Sequence, residues 1–291
     1  MVKEQVIYSP AFRRSDVAYF RNSLREANSI AGLSSGEIID HYGKKIRKRF
    51  EKRSGVPVII PAYNEEKDLS RLLLGLANIY TLTRPVVINN GSDDKTADVA
   101  DQLCVERINE NFAGKLAAER TGLKYILTES PDTKVILNIE ADCIPCTDWG
   151  STILSNLDKL KTGGVVYGLY WHYGSTTVSD FLLSVYLLGK TPIYSLFYDK
   201  VSTHGGNSGL KLDREGKLAE ALLNIDISNR LGIPDYRKAV LKKAGAEFMR
   251  NMSPRSLALT RSDRIPTVSA LAKLIFYRNA YMSTRYPEWF R

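Results

Sequence analysis

Short runs of β-branched residues alternate with leucine stripes along the middle of the chain. Residues 56–60 form the first such run, and Leu69, Leu72, Leu73 and Leu76 follow at the three- and four-residue spacing of one helix face. The alternation continues through strand candidates at 85–88, 105–108 and 135–139 and helix candidates at 96–103 and 114–127. Repeated strand–helix units predict an α/β fold, in which a mostly parallel sheet is covered by helices on both faces.

Weaker patterns flank this central stretch. Residues 1–54 are typical of a charged helical leader, and at Val56 the pattern changes to a short β-branched run that is typical of a buried strand. The later pattern predicts a strand at 164–169, helices at 213–229 and 235–244, and a strand at 246–252. The predicted organisation is therefore a helical basic extension at 1–54, an α/β domain at 55–252 and a tail at 253–291.

The composition is that of a globular protein with anionic partners. The 291 residues are 44% hydrophobic and 25% charged, which excludes disorder along the whole length. A net charge of +9 favours a nucleotide, a nucleic acid or an anionic membrane surface. The basic run at 44–53 and the ring- and cation-rich tail at 276–290 are the candidate contacts, although a solvated helix face and a tail packed onto the domain are the simpler interpretations.

Cysteine usage and hydropathy bear on the compartment. The three cysteines, Cys104, Cys143 and Cys146, favour a reducing environment, and the C-x-x-C at 143–146 has no second pair that would complete a zinc site. The chain begins without the pattern of a secretory signal, and no run reaches the ~20 apolar residues of a membrane span. The expectation is a cytoplasmic protein, with association to a membrane surface as an alternative. The apolar residues 181–188 are expected to form a buried helix rather than a membrane contact.

Polar residues collect directly after three of the predicted strands. They occupy positions 61–66, 89–94 and 140–142. Because ligands of parallel sheets bind beyond the carboxyl ends of the strands, these segments are expected on one rim. Whether they meet depends on the order of the strands.

The chemistry of the three segments is mutually consistent. An aromatic ring with amide groups suits a nucleobase, and Gly91 with Ser92 allows a tight turn. The acids Glu140 and Asp142 suit a hard cation with oxygen ligands, although a solvated acidic loop is the alternative. Mn²⁺ or Mg²⁺ at such a site would neutralise a diphosphate.

These motifs resemble the family 2 glycosyltransferases of GT-A fold over about residues 56–250. The resemblance implies a transfer of sugar from a nucleotide-diphosphate donor, with a nucleotide-binding half at about 55–146 and an acceptor half at about 147–252. The residues that carry it are 58–66, 87–96, Asn111-Phe112-Ala113-Gly114-Lys115 with Ala117 and Gly122, and Glu140-Ala141-Asp142.

The resemblance also implies roles for individual residues. Asn89 stands where the family usually has aspartate and would face the base edge, which leaves uracil, guanine and thymine open, with a UDP-sugar as the first expectation. Glu140 replaces the usual aspartate beside the metal ligand Asp142. The remaining implied donor-site residues are Pro61, Ala62, Tyr63 and Glu65 around the base and ribose, and Gly114 and Lys115 at the entry of a helix.

The acceptor side has one candidate base. The segment 233–245 is similar to the family's late helix and places Asp235 at the position of the acid that accepts the acceptor's proton. Pro234 stands where an acid usually precedes it, and a helix-capping role for Asp235 is the alternative. His204, in a glycine-rich loop, is interpreted as an ordinary loop histidine rather than a metal or phosphate contact.

The expected function is single-sugar transfer, with inversion, to a hydroxyl group of a saccharide, a lipid-linked acceptor or a small molecule. The Gln-x-x-Arg-Trp motif of processive synthases in this family is absent from the sequence. Two alternatives stay open. The acceptor could be a nucleic acid, or the chain could be a non-catalytic or nucleotidyl-transferring relative of the same fold.

Overall fold

A computed structural model describes residues 5–7, 14–173, 206–228, 233–251 and 253–261. The helices are α1 (Arg14–Ala31), α2 (Ser35–Phe50), α3 (Leu69–Asn78), α4 (Thr96–Gln102), α5 (Lys115–Glu129), α6 (Trp149–Leu157), α7 (Lys217–Leu223) and α8 (Ile233–Lys243). The strands are β1 (Gln5–Ile7), β2 (Val56–Ala62), β3 (Thr83–Asn89), β4 (Glu106–Asn109), β5 (Val135–Ile139), β6 (Ile144–Pro145), β7 (Gly164–Tyr167), β8 (Leu169–Tyr173), β9 (Asn207–Lys211), β10 (Glu247–Asn251) and β11 (Leu257–Arg261).

The main sheet has eight strands in the order β1-β10-β7-β9-β5-β2-β3-β4. Among the described strands of this sheet, only β9 runs opposite to its neighbours, β7 and β5. The predicted mostly parallel α/β fold is therefore confirmed. The three strands that precede the polar segments are adjacent, in the order β5-β2-β3, and all run in one direction.

Helices cover both faces of this sheet, because alternate side chains of each strand point to opposite faces. On one face, the leucine stripe of α3 packs with residues of α2 and α6, and Trp149 is fully buried there. On the other face, α5, α7 and α8 pack against residues such as Ile59 and Ile136. The core thus has two layers, one on each side of the sheet.

The leader helix α2 belongs to the first of these layers. Ile38, Ile46 and Phe50 are buried in the same cluster as the leucines of α3. Three cations of α2 bind groups at the carboxyl-terminal ends of α3 and α4, where backbone carbonyls lack partners within the helix. Those bonds run from Lys45 to Asn78 Oδ1 (2.6 Å), from Arg47 to the Gln102 carbonyl (3.1 Å), and from Arg49 to the carbonyls of Ile79 (3.1 Å) and Thr81 (2.8 Å).

A second, three-stranded sheet has the order β6-β11-β8. Asn207, fully buried at the start of β9, joins it to the main sheet. Its Nδ2 donates to the carbonyls of Leu169 (2.6 Å) and Ser256 (3.0 Å), and its Oδ1 accepts from the indole of Trp149 (2.7 Å). The side chain of Asn207 therefore connects β8, the turn that precedes β11, and α6.

Three predicted elements differ from the structure. Residues 5–7 of the leader predicted as helical form β1, a strand of the main sheet. The strand predicted at 164–169 is two strands in different sheets, because the chain turns at Gly168, where a Cβ would lie 2.6 Å from the Asn207 side chain. The helix predicted at 213–229 is only α7, which begins at Lys217 because Asp213 accepts hydrogen bonds from the backbone N–H groups of Lys217 (3.0 Å) and Leu218 (2.8 Å).

Some sequence predictions concern residues outside the described ranges. These are the buried helix at 181–188, the role of His204 and the aromatic tail at 276–290. Within the described residues, none of the helices combines the length and apolar character that a membrane crossing requires.

Candidate functional site

The candidate site lies at the carboxyl ends of β5, β2 and β3. Ala62 and Asn89, the last residues of β2 and β3, are cross-strand partners, and β5 flanks β2 on its other side. The three polar segments therefore leave the sheet side by side at one edge, because the order β5-β2-β3 makes their strands neighbours. Pro61 is half-buried and Ala62 buried beneath them, whereas the ring of Tyr63 is 57% exposed and available for stacking.

Hydrogen bonds join the first two segments. The backbone N–H of Asn64 donates to Ser92 Oγ (3.1 Å), and Asn64 Oδ1 accepts from the N–H of Asp93 (2.9 Å). The N–H of Glu65 donates to Thr96 Oγ1 (2.7 Å). The two loops thus hold each other in place, so that their outward groups are preorganised for a ligand.

Asn89 is 9% exposed, and its amide is held from both sides. Its Oδ1 accepts from the N–H of Ser92 (3.3 Å), and its Nδ2 donates to Asn109 Oδ1 (3.2 Å) at the end of β4. The residue at which the sequence departs from the family's aspartate is therefore one of two neighbouring amides at the rim.

Asn90 shapes the loop that precedes α5. Its Nδ2 donates to the carbonyls of Glu110 (3.3 Å) and Phe112 (2.8 Å), and its Oδ1 accepts from the N–H of Gly114 (2.7 Å). Since α5 begins at Lys115, this one side chain fixes the approach to the amino-terminal end of that helix. Such an end offers unpaired N–H groups and a positive dipole to an anion.

Glu140 lies between a cation and a phenol. Lys115 forms an ion pair with Glu140 Oε1, and the hydroxyl of Tyr170 donates to Oε2 (3.4 Å). Burial by itself would lower the pKa of Lys115, but the negative charges of Glu140 and Glu119 outweigh it and raise that pKa. Burial, reinforced by the charge of Glu140, raises the pKa of Tyr170 well above its usual value. At neutral pH the lysine is charged and the phenol is protonated.

Asp142 is 7% exposed, and both of its oxygens have neighbours. Thr260, on β11, donates to Oδ2 (3.1 Å), and the thiol of Cys143 approaches Oδ1 at 3.5 Å. Ligand atoms of Glu140, Asp142 and Cys143 all lie within 4.8 Å of one another. Two carboxylates at this spacing fit Mn²⁺ or Mg²⁺, and hydrogen bonds to the far side of a ligand are the usual means of orienting it.

The C-x-x-C has an asymmetric environment. Both thiols are free and buried. Burial, together with the charges of Asp142 and Glu140, raises the pKa of Cys143 well above its usual value. Cys146 lies away from the acids and donates to the carbonyl of Arg255 at 3.1 Å. Among the described residues, only Cys143 of the three cysteines lies in the acidic cluster.

Asp235 lies in the first turn of α8, and its side chain falls outside the described part of the structure. The position of α8 is defined by Arg237, 7% exposed, which forms an ion pair (3.3 Å) with Glu119 of α5. Glu119 is one helical turn after Lys115. The start of α8 therefore lies beside the helix whose first residue contacts Glu140.

Three other acids near α7 have structural contacts. Asp213 caps α7, and Asp226 accepts from the N–H of Ser228 (2.9 Å) in a turn. Glu215 forms an ion pair with the exposed Lys217. Several cations of the basic run at 44–53 also have contacts within the protein. Lys45, Arg47 and Arg49 bind helix ends, and Arg53 contacts Glu106.

Three residues at the rim escaped the sequence analysis. Asn90 shapes the approach to α5, Asn109 pairs with Asn89, and Thr260 contacts Asp142. Asn90 lay within a motif already singled out. For Asn109 and Thr260 the sequence carries no signal, because their partners are 20 and 118 residues away.

Comparison with known proteins identifies one family. The family model described as glycosyl transferase family 2 matches residues 58–213. The chain is similar to 4,4'-diaponeurosporenoate glycosyltransferase of Staphylococcus haemolyticus, with 27% identity over 133 residues, 41% of this chain and 34% of that protein. It is also similar to an uncharacterised protein of Methanocaldococcus jannaschii, with 34% identity over 89 residues, 29% of this chain and 34% of that protein. The chain thus spans about a third of the length of each (34%).

Solved structures of similar shape include glucosyl-3-phosphoglycerate synthase of Mycobacterium tuberculosis. Its complex with Mn²⁺, UDP-glucose and phosphoglyceric acid has a TM-score of 0.48 and 16% identity, and covers 87% of this chain and 84% of that one. Its complex with Mn²⁺, UDP and phosphoglyceric acid has a TM-score of 0.49 and 13% identity, and covers 98% and 87%.

Proposed function

The chain belongs to glycosyl transferase family 2, and we propose that it moves a single sugar from a nucleotide-diphosphate sugar to a hydroxyl group of an acceptor. A UDP-sugar is the first choice of donor. The acceptor is a saccharide, a lipid-linked molecule or a small molecule, and the anomeric configuration inverts. The enzyme works in the cytoplasm.

The observation that supports this proposal best is the adjacency of the three polar segments. Loops after β5, β2 and β3 leave the same edge of the sheet, and they bring an exposed aromatic ring, two amides and two carboxylates to one rim. These groups suit the successive parts of a nucleotide diphosphate. The ring and the amides can stack on and hydrogen-bond to the base, and the carboxylates can hold a cation for the phosphates. A sheet with β5 elsewhere in the order would separate the acids from the base site.

A divalent metal, Mn²⁺ or Mg²⁺, would be held by Asp142 with Glu140 beside it. When bound, such an ion neutralises the charge of the diphosphate and of the departing nucleotide. Lys115, which contacts Glu140, and the amino-terminal end of α5 add positive potential at the same place. Tyr63, Glu65, Pro61 and Ala62 would frame the base and ribose, with Gly114 at the entry of α5.

Asp235 is the proposed base. It would accept the proton of the acceptor hydroxyl as that oxygen attacks the anomeric carbon and the bond from this carbon to the phosphate oxygen breaks, with the electron pair leaving on the nucleoside diphosphate. Arg237 and Glu119 support this assignment because their ion pair places the start of α8 beside α5.

Two alternatives differ in their acceptor or chemistry. A nucleic-acid acceptor would draw on the basic run at 44–53, but several of its cations bind helix ends, so the described contacts do not favour it. A nucleotidyl-transferring or non-catalytic relative would release no nucleoside diphosphate from any sugar nucleotide.

A thermal-shift panel tests the donor site. UDP-, GDP- and dTDP-sugars are compared with and without Mn²⁺, because a ligand of the folded state raises its stability by mass action. Asp142→Asn should abolish the metal-dependent part of the shift. The matched control is Asp132→Asn, an exposed acid before the opposite end of β5, which should leave the shift intact. A panel without any metal-dependent shift in the unaltered protein would rule out the donor site.

Asp235→Asn separates the base from the binding site. The variant should keep the metal-dependent shift with the donor and lose release of nucleoside diphosphate. The control is Asp226→Asn, whose side chain is engaged in a turn with Ser228. If Asp235→Asn retained full transfer, the base would lie elsewhere in the chain.

A further inference from the structure

We infer that Asn89 and Asn109 read the donor's base as a pair and select a pyrimidine with a carbonyl at position 4, as in uracil, over one with an amino group there, as in cytosine. This inference rests on the proposed function, because it places the nucleotide's base at the rim formed by β3 and β4. It adds a specificity residue, Asn109, and a positioning residue, Arg107.

The orientation of the two amides is determined from one end by a cation. Arg107 Nη1 donates to Asn109 Oδ1 at 2.6 Å, and Arg107 is itself held by two hydrogen bonds of 3.0 Å to the carboxylate of Asp101. A guanidinium group can only donate hydrogen bonds. The atom of Asn109 that faces Arg107 must therefore be its oxygen, which leaves the NH₂ group of Asn109 on the other side.

The same orientation follows from the other end. Asn109 Oδ1 also accepts from Asn89 at 3.2 Å, so the atom of Asn89 that faces it must be nitrogen. The oxygen of Asn89 then faces the backbone N–H of Ser92, at 3.3 Å, which can only donate. Arg107 at one end and the N–H of Ser92 at the other can only donate, and together they determine which atom of each amide is oxygen and which is nitrogen.

The groups left over define what the pair can recognise. Within the described residues, no acceptor takes the N–H bonds of Asn109 Nδ2, and Asn109 is exposed at the end of β4. Asn89 retains one N–H and one lone pair of its oxygen. Uracil offers a carbonyl at position 4 beside an N–H at position 3, which matches donors next to an acceptor. Cytosine offers an NH₂ group at position 4 and an unprotonated nitrogen at position 3. In the same pose, the NH₂ group would face the donor of Asn109 and the nitrogen would face the oxygen of Asn89.

The test measures dissociation constants of UDP and CDP in the presence of Mn²⁺ by isothermal titration calorimetry. The unaltered protein should bind UDP about tenfold or more tightly than CDP, since a mismatched donor in a base site leaves a polar group unpaired. Asn109→Asp replaces the outward NH₂ group with an oxygen at nearly constant shape. It should shift the UDP-to-CDP ratio toward CDP by about tenfold.

The added negative charge is controlled by Asn78→Asp. Asn78 is also exposed, and its oxygen also accepts from a cation, Lys45, but it lies at the end of α3. This variant should leave the ratio unchanged. Equal affinity of the unaltered protein for UDP and CDP, or an unaltered ratio in Asn109→Asp, would overturn the inference while the proposed function stood. Binding of neither nucleotide would also overturn the inference, and the proposed function would then be decided by the GDP- and dTDP-sugars of the thermal-shift panel.

Arg107 is tested as a positioning residue. Arg107→Met leaves Asn89 as the one described donor to Asn109 Oδ1, at 3.2 Å, so the amide of Asn109 should turn over in part of the molecules. The UDP-to-CDP ratio should then fall severalfold, with a smaller change in the affinity for UDP. Arg107→Lys, which also can only donate, should restore most of the ratio. A merely structural role would weaken UDP and CDP equally, and that result would remove Arg107 from the inference.

Discussion

Two buried arginine–glutamate pairs lie against α5, and they differ in how many donors surround the glutamate. The pair of Arg84 and Glu106 lies near the amino ends of β3 and β4, away from the rim. The pair of Glu119 and Arg237 joins α5 to the start of α8, beside the candidate site. Both glutamates are at most 8% exposed.

The distant pair is surrounded by donors. Glu106 accepts two hydrogen bonds from Arg84 (2.9 and 3.1 Å), one from the hydroxyl of Tyr125, and a longer contact from Arg53 (3.4 Å). Arg84 also lies over the ring of Tyr125, 5.9 Å from its centroid. A buried carboxylate with this many partners is held in one position.

The glutamate near the rim has fewer donors among the described residues. Glu119 accepts from Arg237 at 3.3 Å and from Asn138 Nδ2 at 2.8 Å. The oxygen of Asn138 is buried and has no hydrogen-bond partner among the described residues. A cleft lies next to these three side chains, lined otherwise mostly by apolar residues of α5, β2, β5, β9 and the segment around α7.

The difference indicates a division of roles. A fully satisfied network contributes mainly to stability, whereas an incompletely satisfied one beside a site is where a protein departs from optimal packing in favour of function. We therefore expect the first pair to affect unfolding and the second to affect turnover.

The largest expected effect is on stability. Arg84→Met leaves Glu106 buried without its main partner and should lower the free energy of unfolding by about 3–5 kcal/mol. Arg53→Met, which alters the 65% exposed partner of the same carboxylate, should cost less than about 1 kcal/mol. Urea unfolding at pH 7 measures both. Comparable losses for the two variants would contradict the assigned importance of Arg84.

The next effect is on turnover. Arg237→Met should reduce sugar transfer by about tenfold to a hundredfold, or about 1.4–2.7 kcal/mol of activation free energy, because α8 loses a contact that places Asp235. The affinity for UDP should be unchanged. Lys242→Met, at the exposed end of the same helix, is the control. Equal losses of donor affinity and turnover would indicate general disruption instead.

A smaller effect depends on pH. Burial acts to raise the pKa of Glu106, but hydrogen bonds from Arg84 and Tyr125 outweigh it and hold the pKa below its ordinary value of 4.5. The ionised carboxylate therefore stabilises the folded protein above pH 4.5, and this contribution is lost as the pH falls below that value. The cost of Glu106→Gln should be largest at pH 7 and should shrink at pH 3. Glu51→Gln, at an exposed position, should show no such trend.

The smallest effect concerns Thr83, the neighbour of Arg84. Its hydroxyl is buried, with 1% exposure of the residue, and has no partner among the described residues. Thr83→Val should raise the free energy of unfolding by about 0.5–1 kcal/mol, because an unpaired buried hydroxyl is replaced by a methyl group. Thr83→Ser keeps the hydroxyl and loses the methyl, and it should destabilise. A stabilised serine variant would contradict this explanation.

Local patterns predicted most of the central sheet. Residues 135–139 form β5 with the predicted bounds, and the stripe of leucines in α3 is buried, because short apolar runs and helical spacing are properties of neighbouring residues. Strand β9 was not predicted. Its Gly209 lacks strand propensity, yet it is needed because a Cβ there would lie 2.5 Å from Ile153. Packing between distant segments decides such positions.

The site divides in the same way. The acids at 140 and 142 and the amide at 89 were found because each lies in a contiguous polar segment that follows a strand. Thr260 and Asn109 were missed, since an isolated threonine or asparagine acquires its partner only when the sheet assembles. The proposed roles of Asp142 and Asp235 rest on family resemblance and stay predictions.

The cations of α2 have a consequence for biosynthesis. Arg47 is synthesised 55 residues before Gln102, whose backbone carbonyl it binds in the folded protein. At roughly 5–20 residues per second, Gln102 is therefore made several seconds after Arg47. In the first part of that interval, before the leucines of α3 are made, the apolar residues Ile38, Ile46 and Phe50 of α2 lack the partners that bury them. We expect the dense positive charge of residues 44–53 to keep nascent chains apart during that time. The cations that later bind helix ends in the folded protein would then also reduce aggregation while the chain is being made.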